Sequence, residues 1–377
     1  MNDVGRRLIE EVLQPMKDTF IGKDEIIDLM GICLVGGENL FMLGPPGTAK
    51  SALVHELSRH LEGETFEYLL TRFTEPNEIF GPFDITKLRE GTLVTNTEGM
   101  LPEASLVFLD ELLNANSAIL NSLLGVLNER VFRRGREIRQ LPTIMVIGAS
   151  NRLPDDEALQ ALFDRFLMRV HCDHVPEEQL GAVVEAGWAY EGGLKERETD
   201  LSIEDVRRLS RTLHTVDLSP IRGAYVDLIL RIRKAGIPVS DRRAVKLQRL
   251  TAASALLCGR TACVTSDMWI CKHIWETAEQ QDVLRQIVHE VIETCASAER
   301  HPSARSPRKI DPELLARELE ALMEQTTALD SESVEMAQAR DRLTALAARC
   351  EWVEGEERRQ WFHERIQTLW TRFGEAS

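Results

Sequence analysis

The chain has no long apolar run, few aromatic residues and fewer basic than acidic side chains. Among its 377 residues, aromatic side chains make up 6%, and 61 Asp and Glu outnumber 45 Lys and Arg, for a net charge of −16. No apolar stretch approaches the ~18 residues of a membrane-spanning helix, so we expect no helix that crosses a membrane. An acidic chain is a poor general binder of nucleic acid, because the phosphate backbone repels it.

Cysteine is scarce, and its arrangement argues against a disulfide framework. There are seven cysteines, an odd number, and none forms a Cys-x-x-Cys pair. Cys258, Cys263 and Cys271 lie close together near His273, but their spacing matches no standard zinc pattern. Buried thiols are the favoured interpretation, and a zinc site is the alternative. The first residues lack an apolar segment after their charges, so we expect no signal peptide.

A glycine-containing turn lies between an apolar strand pattern, residues 40–43, and a helix pattern. Its residues are Gly44, Pro45, Pro46, Gly47, Thr48, Ala49, Lys50 and Ser51. The backbone N–H groups of such a turn surround a phosphate, aided by the positive end of the following helix. Lys50 would contact the β- and γ-phosphates, and Ser51 would hold Mg²⁺. Ala49 replaces the usual glycine, and we expect a negative φ there because alanine adopts positive φ only at a cost.

A second strand pattern ends in two carboxylates. Residues 105–109 form a short continuous apolar run, typical of a central parallel strand, and Asp110 and Glu111 follow it. Ligands bind at the carboxyl ends of such strands in α/β folds. Asp110 would hold Mg²⁺, and Glu111 would act as the general base towards the attacking water. Solvated acids at a strand end are the alternative.

A third strand pattern, residues 143–149, precedes two further candidates. Asn151 would bind the γ-phosphate or orient water, or else cap a helix or turn. Arg165 offers a fixed positive charge to phosphate, or else forms a surface ion pair with Asp164. Nucleotide chemistry, together with the odd number of cysteines, favours a reducing cytoplasm.

Together these motifs resemble the AAA+ ATPases, and within them the MoxR family, most closely its RavA-like branch. The segments that carry the resemblance are 44–51, 106–111, 149–151, 161–166 and 240–243. The resemblance spans about residues 5–280. It implies an α/β fold, a P-loop AAA+ core with a parallel sheet, followed by a helical lid. We place the core at 1–178, the lid at 179–297, and a linker with a C-terminal helical extension at 298–377.

The resemblance also implies residue roles. Asn151 corresponds to sensor 1, and Arg165 to an arginine finger that acts on the neighbouring subunit's nucleotide. Arg242 corresponds to sensor 2, reaching back from the lid, with the adjacent Arg243 as the alternative. An arginine supplied in trans means that a lone subunit should hydrolyse poorly, so the resemblance implies a ring, usually a hexamer.

The resemblance extends to ligands and partners. Ile21 and Gly22 fall in the segment that packs over the nucleotide base in this family. ATP and Mg²⁺ are the implied cofactors, although the residues do not exclude GTP. MoxR relatives often act with a von Willebrand A-domain protein, and they mature or activate client proteins.

A short hairpin pattern opposes the acidic average of the chain. Five arginines lie in or beside it: Arg130, Arg133, Arg134, Arg136 and Arg139. The pattern of Val131, Gly135 and Ile138 predicts two short strands. An ion-paired hairpin at an interface is the favoured interpretation, and a basic lining of the ring pore is the alternative.

Helical periodicity organises much of the remaining chain. It predicts helices at 3–19, 24–36, 114–130, 203–215, 222–235, 241–258 and 266–280, with Ser240 as an N-cap. Residues 73–85 are expected as a packed connecting loop or as an inserted hairpin. Residues 298–312 have linker composition. The aromatic tail predicts a helical hairpin docked on its own ring or a partner-binding module; its residues are Trp352, Trp361, Phe362, Trp370 and Phe373.

Three functions follow from these predictions. The first is an ATP-hydrolysing, chaperone-like remodeller of a client protein. The second is a nucleic-acid motor that uses the arginine-rich hairpin, which the acidic composition opposes. The third is a nucleotide-gated assembly platform without catalysis, which the presence of Glu111 and Arg165 opposes.

Overall fold

The computed structural model of the protein describes most of the chain. The described residues are 3–134, 137–154, 156–192, 199–293, 301–304, 312–327, 339–340, 342–343, 346–347, 350 and 356–372. Arg136 of the arginine-rich hairpin, most of the predicted linker, Trp352 and Phe373 lie outside them. Within this part of the chain, no helix is long and apolar enough to cross a membrane.

The strands form one parallel sheet and one hairpin. They are β1 Leu40–Leu43, β2 Thr65–Leu69, β3 Leu106–Asp110, β4 Val131–Arg134, β5 Glu137–Gln140, β6 Met145–Ser150 and β7 Met168–His171. The five-stranded sheet has the order β2-β3-β6-β1-β7, and all its neighbours are parallel. Strands β4 and β5 pair antiparallel, with Arg133 opposite Ile138. The three central strands are buried on both faces, as their continuous apolar runs predict.

Helices surround the sheet and form the lid. They are α1 Asp3–Arg7, α2 Gln14–Thr19, α3 Asp24–Gly36, α4 Lys50–Arg59, α5 Pro76–Phe80, α6 Ile85–Arg89, α7 Ser117–Glu129, α8 Glu157–Phe163, α9 Glu177–Glu191, α10 Ile203–Arg211, α11 Arg222–Lys234, α12 Asp241–Leu257 and α13 Gln280–Glu293. A π-helical segment, Leu8–Leu13, joins α1 to α2. Short 3₁₀ segments lie at Leu101–Glu103, Leu112–Asn114, Thr212–Thr215, Ser219–Ile221, Thr265–His273 and Pro302–Ala304.

The predicted helices are present, with one exception. Residues 266–280 do not form one helix: Thr265–His273 is 3₁₀, and α13 begins only at Gln280. The buried carboxylate of Asp267 organises this segment by accepting hydrogen bonds from the Val264 backbone, from Ser254 and from Arg260. Apolar spacing alone does not reveal such a buried anchor.

One hydrophobic core joins the sheet to the lid. It extends from Leu8 through the strands to Ile292 and Ala304. The described part of the C-terminal extension, which includes the helices Pro312–Thr327 and Glu356–Arg372, has a second core of its own around Leu319 and Phe362. Trp361 and Trp370 are partly buried against that second core.

The segment between β2 and β3 contains two short helices, α5 and α6, of which only α5 has buried side chains. An isolated bridge pairs Phe83 with Thr95. The β4–β5 hairpin lies against it, since Arg134 donates to the Gly81 carbonyl at 2.7 Å and its guanidinium lies 4.0 Å from the centre of the Phe83 ring. The Asp84 N–H donates to the Val94 carbonyl and the Asn96 N–H to the Pro82 carbonyl, both at 2.8 Å, and residues 85–93 between them are exposed. This part of the segment therefore has the form of the hairpin alternative.

The cysteine cluster contains buried thiols. Cys263 and Cys271 are 1% and 0% exposed, and burial raises the pKa of each thiol to about 12. His273 lies instead beside Glu25, with Nε2 3.1 Å from Oε1. These residues therefore serve packing and a polar contact between α3 and the lid.

Candidate nucleotide-binding site

The turn that begins at Gly44 lies at the carboxyl end of β1, between the ends of β6 and β7. The Gly44 N–H donates to the Ser150 carbonyl at 3.0 Å, and the Cys172 N–H donates to the Leu43 carbonyl at 2.7 Å. A Cβ on Gly44 would lie 2.2 Å from the Cys172 carbonyl oxygen. Because this contact is with backbone, the close approach of β7 requires glycine here.

Lys50 is buried within the turn. Its Nζ donates to the carbonyls of Gly44 and Pro45, both at 2.8 Å, and the Thr48 hydroxyl donates to the Pro45 carbonyl at 2.9 Å. A phosphate would give this ammonium a charged acceptor, which forms stronger hydrogen bonds than carbonyls do. The turn is thus already folded around Lys50, the cation that a bound phosphate would contact.

The prediction of a negative φ for Ala49 is wrong. Ala49 has φ 68° and ψ 22°, in the left-handed region, and precedes the first residue of α4. Gly47 has φ +78°, so the turn needs two left-handed residues to reverse the chain and enter the helix. The Ala49 carbonyl still accepts the Leu53 N–H at 2.9 Å. An alanine in this conformation costs about 1–2 kcal/mol, which the surrounding loop contacts must offset.

The two nucleotide motifs meet in space. The Ser51 hydroxyl donates to Asp110 Oδ2 at 3.1 Å, although 59 positions separate them in the chain. Asp110 is the last residue of β3, and β3 is separated from β1 by β6 alone. The sheet therefore brings a hydroxyl and a carboxylate side by side at its carboxyl edge, as both motifs predict.

Glu111 follows Asp110 in the left-handed conformation, with φ 50°. The Glu111 N–H donates to Asp110 Oδ1 at 2.9 Å, and Asn114 Nδ2 donates to Glu111 Oε2 at 3.3 Å. Burial, and then the charge of Asp110, raise the pKa of Glu111, while Lys50 and Arg152 act in the opposite direction. A raised pKa brings a carboxylate closer to the range of an effective general base.

Asn151 follows directly after β6, the strand between the phosphate turn and the carboxylates. It is exposed at that edge. Because the strands are parallel, the position lies between the turn after β1 and Asp110 at the end of β3. That place suits the predicted sensor 1, and the role stays a prediction.

The predicted base-binding segment lies beside α9. Gly22 has φ +73°, and a Cβ there would lie 2.6 Å from Gln179 Oε1. The Phe20 and Tyr190 rings have centroids 5.7 Å apart, and Tyr190 donates to Glu56 of α4 at 3.4 Å. Lys23 donates to the Asp173 carbonyl. Ile21 and Gly22 are thus held next to α9, which in turn contacts α4, the helix that follows the phosphate turn.

Arg165 lies at the opposite edge of the sheet. Its carbonyl accepts from the side chain of Asn39, the residue before β1, at 3.3 Å. The predicted alternative, an ion pair with Asp164, does not form; within the described chain, Asp164 instead lies 3.6 Å from Arg169. The half-buried guanidinium of Arg165 has its Nε without a hydrogen-bond partner among the described residues.

Helix α12, which carries Arg242, is held at that same edge of the sheet. One turn along α12, Lys246 pairs with Glu38 at 2.7 Å. Gly44 follows Glu38 by six positions, which corresponds to roughly 20 Å of extended chain. This part of α12 is therefore held at the amino-terminal end of β1, and the role of Arg242 as sensor 2 stays a prediction.

The adjacent Arg243 is committed to the seam between lid and sheet. It pairs with Glu276 at 2.5 Å and donates to the Ile274 carbonyl at 3.0 Å. Arg242 is exposed. Of the two arginines, Arg242 is thus the one whose guanidinium is available to a ligand.

The arginine-rich hairpin uses its charges within the protein. Arg130 donates to Asn39 at 2.7 Å and to the Ile144 carbonyl at 3.0 Å, and burial lowers its pKa to about 10. Arg133 pairs with Glu129 at 2.6 Å, and Arg139 donates to Thr97 at 2.8 Å. These contacts favour the interface interpretation over a basic pore lining.

Three residues that matter to the site escaped the sequence analysis. Arg152 lies close enough to Glu111 to lower its pKa, and Asn114 donates to that carboxylate. Arg169 is fully buried and donates to the carbonyls of Ile274 and Trp275, at 3.1 and 2.7 Å. The adjacency of Arg152 to Asn151 was an available signal; nothing in the sequence marked Arg169, which lies in a strand.

Comparison with known proteins places this site in a class. Residues 223–288 match the model of an AAA lid domain. A predicted ATPase from Cytophaga hutchinsonii has a similar fold, with a TM-score of 0.62 at 19% identity over 77% of this chain and 95% of that one. The parallel sheet, phosphate turn and lid are accordingly those of an AAA+ ATPase.

The family follows from the amino-terminal part. Residues 6–211 match the model of the MoxR domain in MoxR-vWA-beta-propeller ternary systems, and the chain belongs to the MoxR family. Two uncharacterized proteins of Methanocaldococcus jannaschii are 34% and 33% identical, over 71% and 77% of this chain and 71% and 76% of their own lengths. Chaperone MoxR1 of Mycobacterium tuberculosis is 24% identical over 48% of each chain. The RavA-like branch stays a prediction.

Proposed function

We propose that the protein hydrolyses ATP at sites shared between subunits of a ring and uses the reaction to remodel a partner protein. The observation that carries the proposal is the contact between Ser51 and Asp110, 3.1 Å apart, with Glu111 next in the chain. It joins a phosphate-binding turn to a metal-binding carboxylate and a base, which is the equipment of phosphoryl transfer to water.

The residues present fit Mg²⁺. The Ser51 hydroxyl and the Asp110 carboxylate are hard oxygen donors, which Mg²⁺ prefers together with water and phosphate oxygens. When bound, the ion neutralises negative charge on the phosphates. The chain's own contribution is the pair of oxygens, which the ends of α4 and β3 already hold side by side.

The remaining side chains have separate tasks. Lys50 would exchange its bonds to the loop carbonyls for phosphate oxygens. Glu111 would accept a proton from the attacking water, and its raised pKa suits that role. Asn151 would orient that water or the terminal phosphate. Release of Glu111 from Asn114 is part of reaching the active arrangement.

A second subunit supplies the positive charge. Arg165 and the part of α12 next to Arg242 lie at the amino-terminal edge of the sheet, whereas the phosphate turn lies at the carboxyl edge. Since neither arginine is placed to reach its own turn, both would act on a neighbour's nucleotide. Head-to-tail contacts of this kind close into rings, and we propose a hexamer by the family resemblance.

The partner follows from the family. The model that matches residues 6–211 describes MoxR domains that operate with vWA and beta-propeller proteins. We therefore propose that a vWA-domain protein carries the client or is itself the protein remodelled. The lid, packed on α3 through α12 and on β7 through Arg169, is the element that would transmit the nucleotide state.

The test is a Glu111→Gln variant. We expect it to bind ATP as tightly as the unchanged chain and to lose ATP turnover, because the amide cannot accept the proton. Lys50→Ala is the matched control, in which binding itself should fail. Normal turnover by the Glu111→Gln variant would refute the assignment of the base. Affinity capture with that variant and ATP, compared with Lys50→Ala, tests for a nucleotide-dependent vWA partner.

A further inference from the structure

Helix α9 carries an apolar stripe that nothing in the described protein covers. Leu180, Val184 and Trp188 are spaced four residues apart, so they share one face, and they are 55%, 65% and 78% exposed. The helix contains four glutamates and no basic residue. A contiguous exposed apolar face with one sign of charge is typical of a protein-binding surface.

The position of α9 limits what can cover it. It borders the nucleotide site, since Gln179 lies beside Gly22 and Tyr190 donates to Glu56 of α4. In the proposed ring, the neighbouring subunit must bring Arg242 to within a side chain's length of this nucleotide. The amino-terminal end of the neighbour's α12 therefore lies next to α9.

That end of the lid has the complementary character. Val245, one turn from Arg242, is 67% exposed, and Val226 and Leu230 of α11 are 49% and 46% exposed. The two helices meet at two points, since Arg233 of α11 donates to Asp241 of α12 at 2.7 Å and Tyr225 of α11 donates to the Ala244 carbonyl of α12. Helices α11 and α12 carry eight basic residues, four of which pair with carboxylates of the same chain: Arg231, Arg233, Arg243 and Lys246. Arg242 and Lys234 are exposed cations that remain to meet the glutamates of α9.

Next to Leu230 the lid also has a groove. It lies between α11 and α13, has a volume of about 400 Å³, and is lined by Ala224, Asp227, Leu230, Arg231, Lys234, Glu290 and Val291. Arg231 and Glu290 pair with each other across it. Lys234 lies at the rim of the groove. On α9, Glu185 lies one turn before Trp188 and Glu191 one turn after it. A groove of this size accepts an indole ring.

We infer that the α9 stripe of one copy docks on the α11–α12 face of the next copy, with Trp188 anchored in the groove beside Leu230. The inference rests on the proposed ring and adds the surface that holds it together. Apolar contact would supply the affinity, and the opposite charges of the two faces would set the orientation of approach. Exposed aromatic anchors of this kind carry much of the energy of an interface.

The test compares assembly of Glu111→Gln chains with ATP across a concentration series by sedimentation. Adding Trp188→Ser should raise the concentration for half-assembly by at least about tenfold, while ATP binding by the monomer stays unchanged because Trp188 contacts no nucleotide residue. Ile85→Ser, which alters a 67% exposed side chain of α6 outside both faces, is the matched control. It should leave assembly unchanged.

A disulfide cross-link between copies tests the proposed contact independently. A chain with Glu191→Cys and Lys234→Cys, which keeps Trp188, should form disulfide-linked multimers when ATP is present, and each single change should not. Assembly of Trp188→Ser equal to that of Ile85→Ser, or absence of the cross-link, would overturn the docking inference. A Glu111→Gln chain that stays monomeric with ATP would instead refute the proposed ring. Failure of the docking inference can therefore be distinguished from failure of the proposed function.

Discussion

Mixed rings would reveal from which subunit each arginine acts. Glu111→Gln subunits keep Arg165 but lack the base, and Arg165→Ala subunits keep Glu111 but lack the arginine. Each variant alone should be slower than the unchanged chain, by at least about a thousandfold for loss of an arginine finger. When both are mixed, some sites receive Glu111 from one subunit and Arg165 from its neighbour.

The expected recovery follows from the geometry. Arg165 lies beside Asn39 at the amino-terminal edge of the sheet, opposite the phosphate turn. In an equimolar mixture with random assembly, half the sites keep Glu111 and half of their neighbours keep Arg165, so about a quarter of the sites become active. An arginine acting within its own subunit would give no active sites at all.

The assay is steady-state phosphate release at fixed total protein with the mixing ratio varied. Activity should rise from near zero at either end to about a quarter of the unchanged rate at equal amounts. A double variant, Glu111→Gln with Arg165→Ala, mixed with Arg165→Ala is the control and should show no recovery, since it supplies no arginine. A flat profile for the first mixture would refute the trans assignment of Arg165.

The same mixture made with Arg242→Ala tests the lid. Because Lys246 holds α12 against Glu38, roughly 20 Å from Gly44, Arg242→Ala should also be rescued by Glu111→Gln. If sensor 2 acts within its own subunit, the mixture stays inactive. Arg243→Ala is expected to behave differently, with a lower melting temperature, because it leaves Glu276 without this partner.

Three further predictions concern single residues. Ala49→Gly should raise the melting temperature by about 2 °C. Glycine relieves about 1–2 kcal/mol of left-handed strain in the folded protein, but it also makes the unfolded chain more flexible, which offsets about 0.4–1 kcal/mol of that gain. Arg152→Ala should move the acid limb of the ATPase pH profile upward, since it removes a cation that lowers the pKa of Glu111. His301→Phe should weaken acid sensitivity: burial lowers the pKa of His301, so the unfolded chain binds the proton better and stability falls as pH drops below about 6.5.

Each has a control of opposite or null effect. Gly47→Ala places a Cβ where no atom lies within 4 Å but at φ +78°, so it should lower the melting temperature through strain alone. Arg152→Lys should keep the acid limb in place. For His301, which stacks on Trp269 with centroids 5.0 Å apart, denaturation of both chains at pH 7.5 and 5.5 is compared. The strain argument is wrong if Ala49→Gly lowers the melting temperature. The argument for Glu111 is wrong if Arg152→Ala leaves the acid limb unmoved, and the argument for His301 is wrong if His301→Phe is as sensitive to acid as the unchanged chain.

Much of the nucleotide site could be predicted from the chain, because its signals are local or periodic. The turn between residues 44 and 51 specifies where N–H groups converge, and a continuous apolar run marks β3 as a buried parallel strand. Strands that are parallel present their carboxyl ends at one edge. That rule alone brought Ser51 and Asp110 together, and the 3.1 Å contact confirms it.

Two corrections came from the structure. Ala49 adopts a positive φ directly before α4, where the turn enters the helix, although alanine disfavours that conformation. The 3₁₀ form of Thr265–His273 depends on Asp267 and the groups that donate to it. In the second case, contacts with another segment outweigh the preference of the local sequence.

The amino-acid sequence by itself determined most of the helices and the central strands, and it predicted the class of ligand and the residues proposed to bind phosphate and metal. Tertiary structure alone decided on which edge of the sheet each arginine lies. That decision depends on the contact of Lys246 with Glu38, 208 positions apart, and on Arg169, which joins β7 to the lid. The sequence gives the charge of each side chain. The edge of the sheet at which that charge lies depends on packing between segments that are distant in the chain, which no local pattern predicts.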